Sequence, residues 1–358
     1  MKRFSRAGIL GAYVAVCCVV ALAQSTTPKT SLLVLSKHDH TLAIVDPSTL
    51  KVVGRVPVGD DPHEVIASSD GHTAYVSNYG FGAFHTLTVV DLVAQHEESS
   101  IDLGALRGPH GLAFQQGKVW FTAEAAKAIG SYDPGSGKIN WIMGTGQNRT
   151  HMLYVFADGQ KIVTANVNAA TVTVLEHTEG PAGGPPPPPP GASPGTQGGP
   201  PRRMPVPPGG DWSETVIPVG GGAEGFDVSP DGKQAWVANA WDGTISVIDV
   251  ARKKVTETVQ ANARGANRLK FTPDGKRALV SVGAELVIFD VATQKEVKRL
   301  RIGKGGGGGI LVQPDGERAY AAFAEDGFVA VVDLKTLEVI GKVDAGPNPD
   351  GLAWAVRK

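Results

Sequence analysis

The sequence predicts an all-β fold built from one four-stranded unit repeated around a ring, and three observations lead to this prediction. First, short apolar or alternating runs follow one another in three successive copies between Gln234 and Val356. Second, glycine-containing turns recur at spacings of 46, 42, 73, 43 and 41 residues. Third, a strand-like run is left over at the C-terminus, at 350–356. Such a period is typical of β-propeller blades, which bury their faces only by stacking on neighbours.

The copies number seven, and the first of them lacks an inner strand. The runs Leu32–Leu35, Thr41–Asp46 and Lys51–Val58 supply only three strands, and 350–356 supplies a fourth. We therefore predict a single seven-bladed β-propeller of four-stranded antiparallel blades over residues 24–358. Pairing of the C-terminal strand with the N-terminal blade closes the ring and removes the exposed sheet edges of a linear array.

One spacing is too long because residues 178–211 interrupt the fourth blade. This segment contains six successive prolines and many glycines, so it has little to bury and cannot join a β-ladder. It falls between the third and fourth strands of its blade, and we expect it to leave from the face opposite the inner-strand entrances. It is either a tolerated insertion, or a ligand for a proline-recognising partner or a cell-wall spacer.

Residues 1–23 have the pattern of a secretory signal peptide. Lys2, Arg3 and Arg6 precede the apolar run 7–23, which ends in small residues. An uncleaved membrane anchor is the rival interpretation, although spanning a bilayer takes about 20 residues. We expect cleavage, no membrane attachment afterwards, and a secreted protein of the periplasm or cell surface. Both cysteines, Cys17 and Cys18, lie in the leader, so the mature chain would contain no disulfide.

The charge balance argues against nucleic-acid binding. Removal of the leader leaves 31 Lys and Arg against 35 Asp and Glu, and no basic stripe with interleaved aromatic residues stands out. We expect a monomer whose partner is a small molecule or a protein bound at one face of the ring.

The repeat resembles the YVTN β-propeller family. The matching stretches are Ala74–Asn78 (AYVSN), Ala235–Asn239 (AWVAN) and the Ser-Pro-Asp-Gly turn Ser229–Gly232. Propellers similar to these serve as surface-layer proteins, lactonases, streptogramin-type lyases and the copper-binding domain of nitrous oxide reductase. The resemblance implies the fold, and it leaves open both a binding role and a lactonase-like or lyase activity.

Recurring aspartates at the ends of the third strands are interpreted as structural. An aspartate at this point suits a turn in which its carboxylate accepts hydrogen bonds from the next backbone N–H groups. The aspartates concerned are Asp46, Asp91, Asp133, Asp249, Asp290 and Asp333.

Polar residues also recur at the first position of the inner strands, which line the channel of a propeller and converge at one face. In blade order from the second, this position holds His63, His110, His151, Glu224, Asn267, Gly308 and Asp350, of which all but the glycine are polar. Loops between the second and third strands open on the same face and add His38, His40, His85 and Glu124.

The predicted site is the arc of His63, His110, His151 and Glu224, which belong to consecutive blades. Three or four such ligands can bind one divalent transition metal. Without a metal, His110 and Glu224 are the candidates for general acid–base catalysis. The alternative without a specific function is that these residues only line a water-filled channel. Where a full histidine cage like that of nitrous oxide reductase would continue, the chain has Asn267, Gly308 and Asp350, which favours a mononuclear site. Two functions stay open: a binding protein that uses this rim, and a metal-dependent, lactonase-like hydrolase or lyase.

Overall fold

The structure, a computed structural model, describes residues 26–179 and 210–358. In these ranges 28 strands form seven sheets of four antiparallel strands each. Two single turns of 3₁₀-helix, Gly80–Gly82 and Ala324–Asp326, are the helical elements of the described ranges. No helix among the described residues is long and apolar enough to cross a membrane. The predicted signal peptide, residues 1–23, lies outside the described residues.

Each sheet is one blade, and its strands run from the channel outward. Blade 1 contains β28 (Pro349–Val356), β1 (Thr30–Ser36), β2 (Thr41–Asp46) and β3 (Lys51–Pro57). Blade 2 contains β4 (Pro62–Ala67), β5 (Thr73–Asn78), β6 (Thr86–Asp91) and β7 (His96–Asp102). Blade 3 contains β8 (Pro109–Gln115), β9 (Lys118–Ala123), β10 (Ala128–Asp133) and β11 (Lys138–Gly144). Blade 4 contains β12 (Thr150–Val155), β13 (Lys161–Asn166), β14 (Thr171–Thr178) and β15 (Asp211–Pro218).

The remaining three blades repeat the same order. Blade 5 contains β16 (Ala223–Val228), β17 (Gln234–Asn239), β18 (Thr244–Asp249) and β19 (Lys254–Gln260). Blade 6 contains β20 (Ala266–Phe271), β21 (Arg277–Val282), β22 (Glu285–Asp290) and β23 (Lys295–Arg301). Blade 7 contains β24 (Gly307–Val312), β25 (Arg318–Phe323), β26 (Phe328–Asp333) and β27 (Glu338–Val343).

The ring closes in blade 1, as predicted. Strand β28 pairs antiparallel with β1, in a register that places Trp354 opposite Leu32 and Leu352 opposite Val34. The inner edge of the N-terminal blade is therefore covered by the C-terminal strand, which confirms the seven-bladed, all-β fold with this closure.

The hydrophobic core lies between the blades. Second and third strands such as β5 and β6 are almost entirely buried, because a neighbouring blade covers each face of the sheet. The outermost strand β7 (HEESSID) is exposed over most of its length. Between blades 1 and 2, for example, Leu33, Val65 and Val76 pack in one cluster.

The predicted turns are present. Asp46 Oδ1 accepts a hydrogen bond from the backbone N–H of Ser48 (2.9 Å), and Asp333 Oδ1 accepts one from that of Lys335 (2.8 Å). At the same end of the blades, in the turn between the first and second strands of blade 5, Gly232 has φ +71°, a conformation that glycine adopts without a steric penalty.

The proline-rich segment leaves the fold between β14 and β15. Thr178 pairs with Asp211 at the ends of these strands, so both boundary residues are themselves part of the ladder. Residues 180–209 lie outside the described ranges. The connection belongs to the face opposite the inner-strand entrances, because it joins a third strand to a fourth.

Candidate functional site

Each inner strand has a register shift at its entrance. This shift turns the first residues of the strand, called the rim residues here, toward the channel. On β8, Pro109 pairs with Ala123 and Leu112 pairs with Phe121, so three steps on the inner strand match two on its neighbour. A bulge of this kind takes a residue out of the ladder and re-aims its side chain. Comparable shifts occur at the entrances of all seven inner strands.

Hydroxyl groups on the second strands connect these bulges from one blade to the next. Thr122 Oγ1 accepts a hydrogen bond from the N–H of Gly111 (2.9 Å) and donates one to the carbonyl of His151 (2.8 Å). Ser77 Oγ does the same with the N–H of Glu64 (3.1 Å) and the carbonyl of His110 (2.9 Å). The backbone of each of these two histidines is thus held by the preceding blade.

The three histidines of blades 2, 3 and 4 lie side by side. The ring centroids of His63 and His110 are 4.9 Å apart, and those of His110 and His151 are 3.9 Å apart. Tyr79, from the loop after β5, contacts the rings of His63 (4.7 Å) and His110 (5.0 Å). His110 and His151 are each only 1% exposed.

Two glutamates flank the ring of His151. Its Nδ1 contacts a carboxylate oxygen of Glu124, whose other oxygen accepts a hydrogen bond from the Tyr79 hydroxyl. Its Nε2 lies 3.0 Å from Glu224 Oε1, which is ion-pair distance when the imidazole is protonated. Arg149 lies 3.5 Å from Glu124 and 3.6 Å from Glu224.

These contacts set the charge of the pair. Burial opposes ionisation of Glu224, yet His151, Arg149 and Arg268 together lower its pKa to about 2. Burial likewise works against protonation of His151, but the two glutamates outweigh it and raise the pKa of that imidazole.

His110 has a ring nitrogen without a partner among the described residues. Its Nδ1 is buried and makes no hydrogen bond to any described residue. Burial, reinforced by His151 and His63, holds the pKa of His110 well below its ordinary value, so the ring is neutral and offers a lone pair. His110, Glu124 and His151 each present a ligand atom, and these atoms lie within 4.8 Å of one another.

His63 differs because both of its ring nitrogens are engaged. Lys37 Nζ donates to Nε2 at 2.8 Å, and Nδ1 lies 3.1 Å from the carbonyl oxygen of Asp61. An ammonium group has no lone pair, so Nε2 is the acceptor and the proton of the neutral ring is on Nδ1. Lys37 also forms an ion pair with Asp350 (3.3 Å).

An ion pair crosses the channel below the histidines. Directly after the first position of the inner strands, small and large residues alternate around the ring. Four blades have a glycine there, at 111, 225, 309 and 351. The larger side chains are those of Glu64, Met152 and Arg268. The guanidinium of Arg268 in blade 6 contacts the carboxylate of Glu64 in blade 2, and both side chains are largely buried.

The remaining residues that were predicted at this face lie partly within the site and partly away from it. Glu124 joins the site, and Asn267 Oδ1 accepts a hydrogen bond from Arg268 (2.9 Å). Three histidines of the loops are instead exposed and lie against neighbouring aspartates. The pairs are His38–Asp39 (3.0 Å), His40–Asp60 (2.9 Å) and His85–Asp102 (2.8 Å). Gly308 has no side chain to contribute.

Sequence reasoning missed several residues of the site. Tyr79, Arg149 and Lys37 lie beside inner-strand entrances, and Glu64 and Arg268 follow the rim position directly. A signal was present for the last two, because a charged residue just after the rim position faces the same narrow channel.

Comparisons with known proteins reveal likeness of fold alone. No known protein family matches the chain, and no curated protein matches it by sequence. A functionally unknown protein from Desulfotomaculum acetoxidans superposes with a TM-score of 0.70 at 13% identity, over 92% of this chain and 99% of that one. Kuenenia stuttgartiensis hydrazine synthase superposes with a TM-score of 0.66 at 18% identity, over 90% of this chain and 99% of that one. The chain therefore has the fold of a seven-bladed β-propeller.

Proposed function

We propose that this protein binds a small molecule at the channel mouth, through one divalent transition metal held by His110 and His151. The observation that carries the proposal is the buried ring nitrogen Nδ1 of His110, which makes no hydrogen bond to the described residues and lies beside the His151 ring, whose Nε2 is 3.0 Å from Glu224 Oε1. Buried polar atoms are ordinarily paired, and an orphaned nitrogen beside carboxylates is typical of a metal ligand.

The surrounding carboxylates divide into two roles. Glu124 holds Nδ1 of His151, which keeps the proton on that nitrogen and leaves Nε2 as the ligand atom. Glu224 lies on the Nε2 side and supplies the carboxylate ligand. His63 lies next to these ligands but is not one of them, because its Nε2 accepts a hydrogen bond from Lys37.

The charge of the site is consistent with a divalent cation. The described side chains around the three histidines include five carboxylates and three permanent cations, which leaves a net charge of −2 when the imidazoles are neutral and −1 when His151, whose pKa is raised, carries a proton. The carboxylates are Asp61, Glu64, Glu124, Glu224 and Asp350, and the cations are Lys37, Arg149 and Arg268. Buried charge is costly unless it is paired, so a bound dication stabilises this arrangement.

A second candidate function, hydrolysis or a lyase reaction at the same metal, is favoured by Arg149. Its side chain is 35% exposed at the mouth while the two imidazoles beneath it are buried. A guanidinium in this place suits a carboxylate or a developing oxyanion of a lactone-like substrate. Turnover of a lactone and ester panel by the metal-loaded protein, lost on Arg149→Met, would support this function over simple binding.

Metal analysis tests the proposed site. We expect about one equivalent of Zn²⁺, Co²⁺ or Cu²⁺ to remain with the purified mature protein after supplementation and dialysis, measured by plasma mass spectrometry. His110→Ala should remove it. The matched control is His85→Ala, on the same face but exposed and paired with Asp102. Equal metal content and calorimetric affinity in the wild type and His110→Ala would overturn the proposal.

We also infer that the mature chain works as a monomer outside the cytoplasm, in the periplasm or at the cell surface. The leader pattern at 1–23 and the lack of cysteine in 24–358 support this inference. N-terminal sequencing of the protein from cell fractions tests it, and an intact leader in the cytoplasmic fraction alone would contradict it.

A further inference from the structure

Four aromatic side chains line a groove between blades 3 and 4, on the face opposite the histidines. Trp120 packs against Trp141 (ring centroids 5.4 Å apart), Trp141 against Trp212 (5.1 Å), and Trp212 against His177 (5.3 Å). The groove has a volume of about 360 Å³, and its polar lining includes Lys118, Asp158 and Gln160.

The tryptophans of the groove differ in their hydrogen bonding. The indole N–H of Trp120, which is buried, donates to the carbonyl of Gln115 (3.1 Å). Trp141 and Trp212 are half-buried, and their indole N–H groups donate to no described residue. A ligand in the groove would therefore meet aromatic faces together with two available donors.

The chain itself leaves and returns at the edge of this groove. His177 and Trp212 are cross-strand partners, and the next pair outward is Thr178 with Asp211. Residues 180–209 follow from there. This stretch contains 13 prolines in 30 residues, including the unbroken run Pro185–Pro190.

The chemistries of the groove and of this segment are complementary. Proline-rich ligands dock in aromatic-lined grooves, where their rings pack on the aromatic faces and their carbonyls accept hydrogen bonds from the groove. Proline carbonyls find no partner within a polyproline helix, which has no internal hydrogen bonds. A tethered ligand also has an effective concentration in the millimolar range, so a weak contact suffices.

We propose that the groove of Trp120, Trp141, Trp212 and His177 binds the proline-rich segment of the same chain, through Pro185–Pro190. A run of six prolines in the polyproline conformation is about 19 Å long. The segment thereby covers an aromatic surface that would otherwise face solvent between two blades.

The test uses the full chain in which Pro185–Pro190 are replaced by alternating glycine and serine of equal length. A synthetic decaproline peptide is titrated into this variant and into the unmodified chain, with tryptophan fluorescence as the readout. We expect saturable binding to the variant and at least about tenfold weaker binding to the unmodified chain, whose own segment competes. Trp212→Ala in the variant background should abolish binding.

The matched control is Trp241→Ala, an exposed tryptophan in the loop after β17, which should leave the titration unchanged. If Trp212→Ala unfolds, as circular dichroism would reveal, Trp141→Ala replaces it. Absence of peptide binding to the Gly-Ser variant would overturn the proposal. Equal binding to the unmodified chain would also overturn it, and would assign the groove to a proline-rich segment of another protein.

Discussion

Glu124 has two tasks, since its two carboxylate oxygens contact different side chains. One oxygen accepts a hydrogen bond from the Tyr79 hydroxyl, and the other contacts Nδ1 of His151. Burial disfavours the charge of Glu124, but His151, Tyr79 and Arg149 together lower its pKa. The residue is therefore an anion that selects the tautomer of His151.

The substitution Glu124→Gln should weaken metal binding by about 10–100-fold, as loss of an outer-shell partner commonly does. The amide can present its NH₂ group to Nδ1, which moves the ring proton to Nε2 and blocks the ligand atom. Calorimetric titration with Zn²⁺ measures the change. Asp102→Asn, which alters the partner of exposed His85, is the control. An affinity equal to that of the wild type would contradict the role given to Glu124.

At the scale of the strand, the inner strands approach one another so closely that some positions admit only glycine. A Cβ atom on Gly351 would lie 2.4 Å from the carbonyl oxygen of His63 on the adjacent inner strand, and one on Gly111 would lie 2.8 Å from that of His151. The neighbouring atoms are backbone, which cannot move aside without shifting a strand.

Gly351→Ala should consequently destabilise the protein by about 1–3 kcal/mol, the usual cost of overpacking. Urea unfolding followed by circular dichroism gives the change. Gly144→Ala, at the end of outer strand β11 with no atom within 4 Å of the added Cβ, should change stability far less. Similar free energies of unfolding for the two variants would contradict the crowding argument.

The strands and turns could be predicted because their signals are local. The alternating run Thr244–Val250 and its aspartate depend on a few neighbouring residues, and the observed strand β18 is one residue shorter, Thr244–Asp249. The bulges could not be predicted, since they arise from the pairing of two strands. The hydroxyl of Thr122 was missed for the same reason: its two partners lie in different blades.

The histidine register followed from the repeat, but the contacts of each ring did not. His63, His110 and His151 have the same position in the repeat, yet their contacts differ. Lys37 donates a hydrogen bond to His63, whereas Nδ1 of His110 has no partner among the described side chains. Such differences depend on long side chains from loops, whose reach the repeat does not encode.

At the scale of the whole molecule, stability depends on closure of the ring. Deletion of residues 350–358 removes almost all of β28 and leaves the inner edge of β1 unpaired. We expect a lower and broader thermal transition, with association visible by size-exclusion chromatography. Deletion of Lys358 alone is the control. A truncated chain that melts as sharply and at the same temperature as the full chain would contradict the role of closure.

The ion pair between Glu64 of blade 2 and Arg268 of blade 6 spans the channel, so we expect the channel above it to be a blind-ended well. A molecule that enters past Arg149 meets this barrier just beneath the imidazoles, so it must depart by the route it came. Water displaced from the well has to leave around the incoming molecule, which favours slender guests over bulky ones. The opposite face of the ring, with its tryptophans, is thereby separated from the histidines, and the two proposed binding sites would act independently.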